Sequence, residues 1–244
     1  MATNPMHQFE VYKIGPEINF GGINLSFTNA SLFMTISAIL ILSFLFLGTK
    51  KKSLLPSKMQ LITEMSYTFV AKMINDTAGS SAKSFFPFVF TLFMFVLFCN
   101  MVGMLPYSFT VTSHIIVTFV LASIVFIGVT IIGFIKHGIK YLELFVPKGV
   151  PVVLLPLIVV IEIISYLSRP VSLSVRLFAN MMAGHTMLKV FGGFVISLGL
   201  LGGWLPLGFS VALTGLEILV AFLQAYVFAI LTCIYLNDAL NLHH

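Results

Sequence analysis

Six ionisable residues in the last third of the chain interrupt stretches that are otherwise apolar: Glu162, Arg169, Arg176, His185, Lys189 and Glu217. Glutamate and histidine side chains can exchange protons, whereas an arginine in a protein keeps its charge. Such groups suit proton movement past a fixed cation. The sequence contains no phosphate-binding loop, zinc-ligand spacing or nucleophile motif. We therefore predict no cofactor, no metal ion and no enzymatic activity for the chain on its own.

The composition places these groups in a membrane. Of 244 residues, 59% are hydrophobic and 9% are charged, with a mean hydropathy of +1.07, whereas a soluble domain carries about 25% charged residues. A chain so poor in charge cannot cover a water-facing surface, so lipid must replace water over most of it. The net charge of +5 comes mainly from loop lysines. Loop lysines are typical of the inner side of a membrane protein, so this explanation of the charge is favoured over nucleic-acid binding.

The apolar runs predict an all-α integral membrane protein that forms one domain over residues 1–244. Because a crossing needs about 20 apolar residues, we expect five transmembrane helices, of which the last two are long and tilted, at 30–48, 86–105, 114–135, 150–191 and 205–238. Residues 56–78 have one apolar face and the spacing of a capping box, as in an amphipathic helix on the inner membrane surface. Residues 1–29 form an outer lead-in, and Gly192-Gly193 and Gly202-Gly203 bracket the last connection.

The lysines predict the orientation. Segments 49–84 and 136–149 hold most of the basic residues, so they are expected to face inside. Five crossings then put the N-terminus outside and the C-terminus inside. On the fourth crossing, Glu162 lies toward the inner side, and Arg176 follows about 21 Å further along the axis at ~1.5 Å per residue. His185 comes next, toward the outer side.

A polar stripe is predicted on each of the two long helices. At about 100° per residue, the residues that share one face are Glu162, Arg169, Arg176 and Asn180 on the fourth crossing, and Glu217, Gln224 and Tyr235 on the fifth. Groups therefore approach Arg176 from both sides of the membrane. Two half-paths that a cation separates become useful if a mobile partner with its own carboxylate carries protons between them.

Each of these groups also has a structural interpretation. Arg169 can pair with Glu162, because buried charges are usually paired. Asn180 and Gln224 can be ordinary interhelical hydrogen bonds, and His185 and Glu217 can form a static pair. Four further residues are interpreted as interfacial or solvated: Lys189, His114, Asp238 and His243.

Three segments resemble subunit a of the F-type ATP synthases. They are residues 86–106 (FPFVFTLFMFVLFCNMVGMLP), 168–185 (SRPVSLSVRLFANMMAGH) and 216–237 (LEILVAFLQAYVFAILTCIYLN). The resemblance covers nearly the whole chain. The form with His185 and Glu217 is similar to mitochondrial and alpha-proteobacterial members, whereas many bacterial members exchange the two side chains.

The resemblance implies a role for each site residue. Arg176 matches the essential cation that faces the carboxylates of a rotating ring of small c subunits. Residues that match the outer half-channel are His185, Glu217, Asn180, Gln224 and Asn100, and those that match the inner half-channel are Glu162 and Tyr235. The implied partners are the c-ring, peripheral-stalk b-type subunits, other synthase subunits and the lipid bilayer. The implied location is the mitochondrial inner membrane or the bacterial plasma membrane.

Two other classes of protein remain as alternatives. An ion-coupled secondary transporter would show inverted repeats and broken helices in both halves, and the sequence shows neither. A structural scaffold leaves Arg176 unexplained. Protons are favoured over sodium ions, because a histidine and a carboxylate suit proton relay.

Overall fold

The computed structural model describes residues 9–14, 19–20, 23–24, 26–50, 56–105, 108–146 and 154–241. It contains six α-helices: α1 Asn29–Thr49, α2 Lys58–Ala78, α3 Phe86–Gly103, α4 Ile115–His137, α5 Leu155–Gly202 and α6 Trp204–Leu240. Before α1, the two-residue strands β1 (Asn19–Phe20) and β2 (Ile23–Asn24) pair antiparallel. Short 3₁₀ helices lie at Ser80–Phe85, Val111–Ser113 and Gly138–Phe145.

Among the described residues, five helices are long and apolar enough to cross a membrane, and α2 is not one of them. The prediction of an all-α protein with five membrane-spanning helices is therefore confirmed. The helices alternate in direction, so α2 and the end of α4 lie on one side of the membrane, called here the α2 side. The ends of α3 and α5 then lie on the opposite side.

Helix α2 has three faces, as expected for a helix at a membrane surface. Charged residues are exposed at Lys58, Glu64, Lys72 and Asp76. Apolar residues are exposed at Leu61, Ile62 and Met65, and others pack inward at Val70, Met73 and Ile74. The helix begins after Ser57, whose hydroxyl accepts a hydrogen bond from the Gln60 backbone N–H at 3.3 Å. The apolar residues thus divide between the lipid and the protein core.

Helices α5 and α6 are much longer than a membrane is thick. The 48 residues of α5 extend about 70 Å at ~1.5 Å per residue, against a hydrocarbon core of about 30 Å. Both helices must therefore tilt strongly. The predicted end of the fourth crossing at residue 191 is wrong, because α5 continues to Gly202 with a kink at Gly199, where φ is 60°. In lipid, backbone groups released by an earlier loop would find no water, so glycines at 192 and 193 stay helical.

Helix α6 is the centre of the packing and contacts α2, α3, α4 and α5. Its buried face is rich in small residues, among them Ala221, Ala225 and Ala229, with Phe228 filling the core. Small side chains allow membrane helices to approach closely. The other helices of the hydrophobic core therefore depend on α6 for one of their packed faces.

The end of α6 is bound by the end of α4. The Lys136 ammonium group donates a hydrogen bond to the Leu240 carbonyl oxygen at 2.9 Å, and His137 Nε2 lies 3.2 Å from the same oxygen. Cationic and donor groups at a helix C-terminus satisfy its free carbonyls and complement its dipole. This contact fixes the last turn of α6 on the α2 side.

Gly133 provides a test of the packing at this end of α4. A Cβ atom at Gly133 would overlap the buried Tyr141 ring, whereas one at Gly128 on the same helix would meet nothing within 4 Å. We expect Gly133→Ala to lower the stability of the protein by about 1–3 kcal/mol, as overpacking does. Gly128→Ala should leave the melting temperature of the solubilised protein unchanged or slightly raised. Equal melting temperatures for the two variants would contradict the packing described.

Candidate functional site

Helices α5 and α6 run antiparallel and bring their polar residues together in pairs. Along α5, contacts to α6 occur at Arg169, Asn180 and His185, and the partners occur in the reverse order along α6. Helix α5 stays helical through Pro170, although the proline removes one backbone hydrogen bond. Arg176 lies between the first contact and the other two.

Arg176 is exposed on the surface of α5. Its neighbours along that face are exposed small or polar residues: Ser172, Ala179, Asn180 and Ala183. No hydrogen bond or ion pair joins Arg176 to any residue in the described part of the chain. A permanent cation on a membrane-spanning helix is costly without a counter-charge, and the ion pairs between described residues do not include Arg176.

His185 and Glu217 lie against each other between α5 and α6. His185 Nδ1 is 3.2 Å from Glu217 Oε1, and the side chains are only 11% and 4% exposed. The ring N–H is not aligned for a hydrogen bond, because neither carboxylate oxygen has such a partner among the described residues. Gly184 makes this approach possible, since a Cβ there would be 2.6 Å from Glu217 Oε1.

A second polar pair lies closer to Arg176. The Asn180 side-chain amide donates a hydrogen bond to Gln224 Oε1 at 3.0 Å. On α3, the fully buried Asn100 donates to the Ala221 carbonyl oxygen at 3.2 Å. Gln224 Nε2 and Asn100 Oδ1 are buried without a protein partner in the described structure. Buried polar atoms of this kind usually bind ordered water.

A cavity connects the neighbourhood of Arg176 to the histidine–glutamate pair. Its volume is about 230 Å³, and the residues that line it include Asn180, Gly184 and Glu217. A water molecule occupies about 30 Å³ in the liquid, so the cavity has room for several. Asn180 and Glu217 are the polar side chains that line it, and the remaining lining residues are apolar or glycine.

Arg169 occupies a different environment on the α2 side of Arg176. Its guanidinium donates a hydrogen bond to Asp238 Oδ2 at 3.1 Å and stacks at 5.4 Å and 5.1 Å from the ring centroids of Tyr166 and Tyr235. The predicted pairing of Arg169 with Glu162 is therefore wrong, and Asp238 is not a solvated tail residue. Glu162 is half-buried, with no partner among the described residues.

Hydroxyl groups extend this cluster into α4. Tyr166 Oη lies 2.7 Å from Thr130 Oγ1 and 3.1 Å from Tyr141 Oη. A second, much smaller cavity of about 10 Å³ lies among Tyr141, Arg169 and Asp238, with room for about one water. The sequence stripes included Tyr235 but missed Asp238, Tyr141 and Gly184, because their partners come from other helices. An acid in the last turn of α6, one turn after Tyr235, was the available signal for Asp238.

No cluster of three or more histidine, cysteine, aspartate or glutamate side chains suitable for a metal ion occurs within the described ranges. The two cysteines, Cys99 and Cys233, are both buried and free. The polar chemistry of the site therefore consists of carboxylates, an imidazole, amides and guanidinium groups.

This fold and site define a polytopic membrane protein with interhelical polar pairs on both sides of an exposed arginine. The profile of the ATP synthase A chain family matches residues 31–237. The chain is 81% identical over 244 residues to ATP synthase subunit a of Pelagibacter ubique (strain HTCC1062), covering all of both chains. It is 62% identical over 250 residues to that of Chelativorans sp. (strain BNC1), again covering both chains fully.

A third relative, ATP synthase subunit a of Rhizobium rhizogenes (strain K84 / ATCC BAA-868), is 61% identical over 247 residues, which cover 99% of this chain and 98% of the relative. The chain therefore belongs to the ATP synthase A chain family, subunit a of the F-type ATP synthases. It is a membrane subunit of a complex that couples proton transport to ATP synthesis.

Gly184→Ala tests the close approach of α5 to Glu217. The added methyl group would displace the carboxylate from His185. We expect ATP-driven proton pumping by the assembled complex in vesicles to fall by about 10- to 100-fold, the effect of a ~1 Å misplacement of reacting groups. Gly192→Ala on the same helix meets no atom within 4 Å and should pump normally. Normal pumping by Gly184→Ala would show that the contact is not needed.

Proposed function

We propose that this chain is the proton-conducting stator subunit of the synthase, with two offset half-channels that meet at Arg176. The observation that carries the proposal is the position of Arg176. It is exposed and unpaired among the described residues. Along α5, a cavity large enough to hold water lies on one side of it, and the ion pair of Arg169 with Asp238 lies on the other side. An enclosed scaffold would have no need of a cation on its outer face.

One half-channel runs from the opposite side of the membrane to Arg176. Protons reach the His185–Glu217 pair, whose groups are 3.2 Å apart, and continue through the cavity toward Asn180 and Gln224. The buried amide of Asn100 borders the same region from α3. A carboxylate and an imidazole in contact can pass a proton between them, and water in the cavity completes the connection.

The other half-channel runs from the neighbourhood of Arg176 to the α2 side. Glu162 is half-buried on α5 and Tyr235 is half-buried on α6, so both can be reached from a narrow aqueous space. Arg169 carries its own counter-ion, Asp238, at 3.1 Å. It therefore does not compete with Arg176 for a carboxylate brought by a partner.

Arg176 is the barrier between the two half-channels. Its charge repels protons, and because an arginine side chain in a protein keeps its proton, it cannot relay protons itself. The partner that completes the path is a ring of small c subunits, each with one membrane carboxylate. A protonated carboxylate can turn into the lipid, whereas an ionised one is attracted to Arg176. Small residues along the α5 face let the ring helices pass close by.

The direction of transport follows from the assigned sides. We assign the α2 side to the cytoplasm or matrix, because lysines accumulate on the inner side of a membrane. The relatives named above are bacterial, which favours the bacterial plasma membrane. Protons entering from outside at a potential of 100 mV release about 2.3 kcal/mol per charge, and the ring converts this energy into torque. Peripheral-stalk b-type subunits would hold the chain against that torque.

Replacement of Arg176 tests the proposal. We expect Arg176→Ala, in the assembled complex, to abolish ATP-driven proton pumping and to let protons leak passively down a gradient, because the barrier is gone. Lys189→Ala removes a cation from the exposed surface of the same helix and should preserve pumping. Coupled pumping at the normal rate by Arg176→Ala would refute the half-channel mechanism and favour a scaffold or an unrelated carrier.

Exchange of the histidine and the glutamate tests whether the pair acts as a unit. His185→Glu places two carboxylates together and Glu217→His places two imidazoles together, so each single variant should lose most proton pumping. The double variant restores one acid and one base 3.2 Å apart and should pump faster than either single variant. If the double variant is as slow as the slower single variant, the pair is static rather than a relay.

A further inference from the structure

The connection between α3 and α4 folds back into the protein. Its 3₁₀ helix Val111–Ser113 packs against α1, α3 and α5, and Thr110, Val111, Thr112 and Ser113 are all at least 95% buried. His114 follows immediately and precedes the first residue of α4. This turn therefore packs against both α3 and α5, the helices that carry Asn100 and His185.

Most hydroxyl groups near this turn are satisfied by backbone carbonyls. Ser108 donates to Val102 O at 2.7 Å, Thr110 to Gly103 O at 3.2 Å and Ser113 to Thr110 O at 2.6 Å. On α4, Thr118 donates to Ile115 O at 3.1 Å. These bonds cap the end of α3 and shape the turn, which is a sufficient structural reason for four of the polar side chains.

Two polar side chains have no such explanation. Thr112 is 3% exposed and its Oγ1 has no hydrogen-bond partner in the described chain. His114 Nε2 is also buried without a partner, and its ring stacks on Phe109 with the centroids 4.9 Å apart. His114 itself is half-buried at the start of α4, so the prediction that it is interfacial stays a prediction. A buried polar atom without a partner costs about 1–3 kcal/mol unless water satisfies it.

The unpartnered atoms are concentrated in one region. Eight buried side-chain nitrogen or oxygen atoms lack partners among the described residues, and only Gln60 Oε1 lies outside this region. The others belong to Thr112, His114, Asn100, His185, Glu217 and Gln224. The turn that carries Thr112 and His114 packs against α3 and α5, the helices of Asn100 and His185, and water satisfies such atoms where space allows.

We propose that Thr112 and His114 line the hydrated entrance of the half-channel that leads to Asn100 and the His185–Glu217 pair. The inference rests on the proposed function, to which it adds the place where protons enter. Both side chains can donate and accept hydrogen bonds, so each can hold a water molecule in a relay.

The surroundings of His114 suit this role. Burial lowers the pKa of the His114 imidazole below its usual range, so the ring is neutral at neutral pH. A neutral imidazole orders water without placing a positive charge in front of incoming protons. Stacking on Phe109 fixes the ring plane, which keeps the nitrogen directed in one orientation.

Reaction of an introduced cysteine with Ag⁺, a cation close to water in size, tests the hydration of the turn. The background is the full complex in vesicles with Cys99→Ala and Cys233→Ala, which remove the two free cysteines. Ag⁺ is added on the side opposite α2, and the thiols left unreacted are labelled with a maleimide after denaturation. Three single variants are compared: Thr112→Cys, Val111→Cys and Ala183→Cys.

Val111 is the matched control, because it is 1% exposed and packs in an apolar cluster with Ala30 and Phe109. Ala183 lines the cavity beside Glu217 and reports on the proposed half-channel itself. We expect Ag⁺ to protect Thr112→Cys and Ala183→Cys and to block their proton pumping, while Val111→Cys stays unprotected.

The other outcomes separate the two proposals. If Ala183→Cys reacts and Thr112→Cys does not, the entrance lies elsewhere and only this inference is overturned. If neither reacts, the half-channel proposal fails as well. If Val111→Cys reacts as readily as Thr112→Cys, the turn is loosely packed rather than a defined water path, and the inference is again overturned.

A second set of variants tests His114 by function. His114→Phe keeps an aromatic ring against Phe109 but removes the nitrogen atoms, whereas His114→Gln keeps a polar group that can bind water. We expect pumping to fall severalfold in His114→Phe and to be largely restored in His114→Gln, with equal assembly and thermal stability of the complex. Normal pumping by His114→Phe, or equal loss in both variants, would overturn the role assigned to this side chain.

Discussion

A guanidinium group that keeps its charge at any physiological pH lies on the exposed face of a membrane-spanning helix, and much of the structure follows from accommodating it. Arg176 has no hydrogen bond or ion pair among the described residues, and under the proposed function its counter-charge comes from the c-ring. The helix face around it carries small residues that permit a close approach. Two other ionisable residues of α5 have partners on α6, Asp238 for Arg169 and Glu217 for His185.

The tilt of α5 and α6 allows these groups to be spread out within a thin layer. A helix perpendicular to the membrane has about 20 residues in the hydrocarbon core, so it would separate the contacts at 169, 180 and 185 in depth but not along the surface. An inclined helix of 48 residues offsets them laterally as well. Under the proposed function, this lateral offset lets the ring release a proton at a different place from where it binds one.

Sequence patterns predicted the helix types and most of the polar stripe, because apolar length and period are local properties. They failed where contacts with a second helix determine the partner of a side chain. The face shared by Glu162 and Arg169 suggested their pairing, yet the register of α6 brings Asp238 to Arg169 instead. Glycines at 192 and 193 suggested a loop, but lipid offers no water to a broken helix. Nothing in the sequence around residues 110–113 shows that this turn folds inward and is buried.

The central position of α6 has a consequence for biosynthesis. The Asn100 side chain receives its partner, the Ala221 carbonyl oxygen, from 121 residues further along the chain. At a translation rate of about 5–20 residues per second, this amide waits roughly 6–24 s after its own synthesis. During that interval the Asn100 side-chain amide on α3 has no hydrogen-bond partner on α6. The helices α4 and α5 also lack the α6 surface against which they pack. A chain that ends before α6 thus leaves the Asn100 amide without its partner, and the buried polar interior is complete only once the final helix has been inserted.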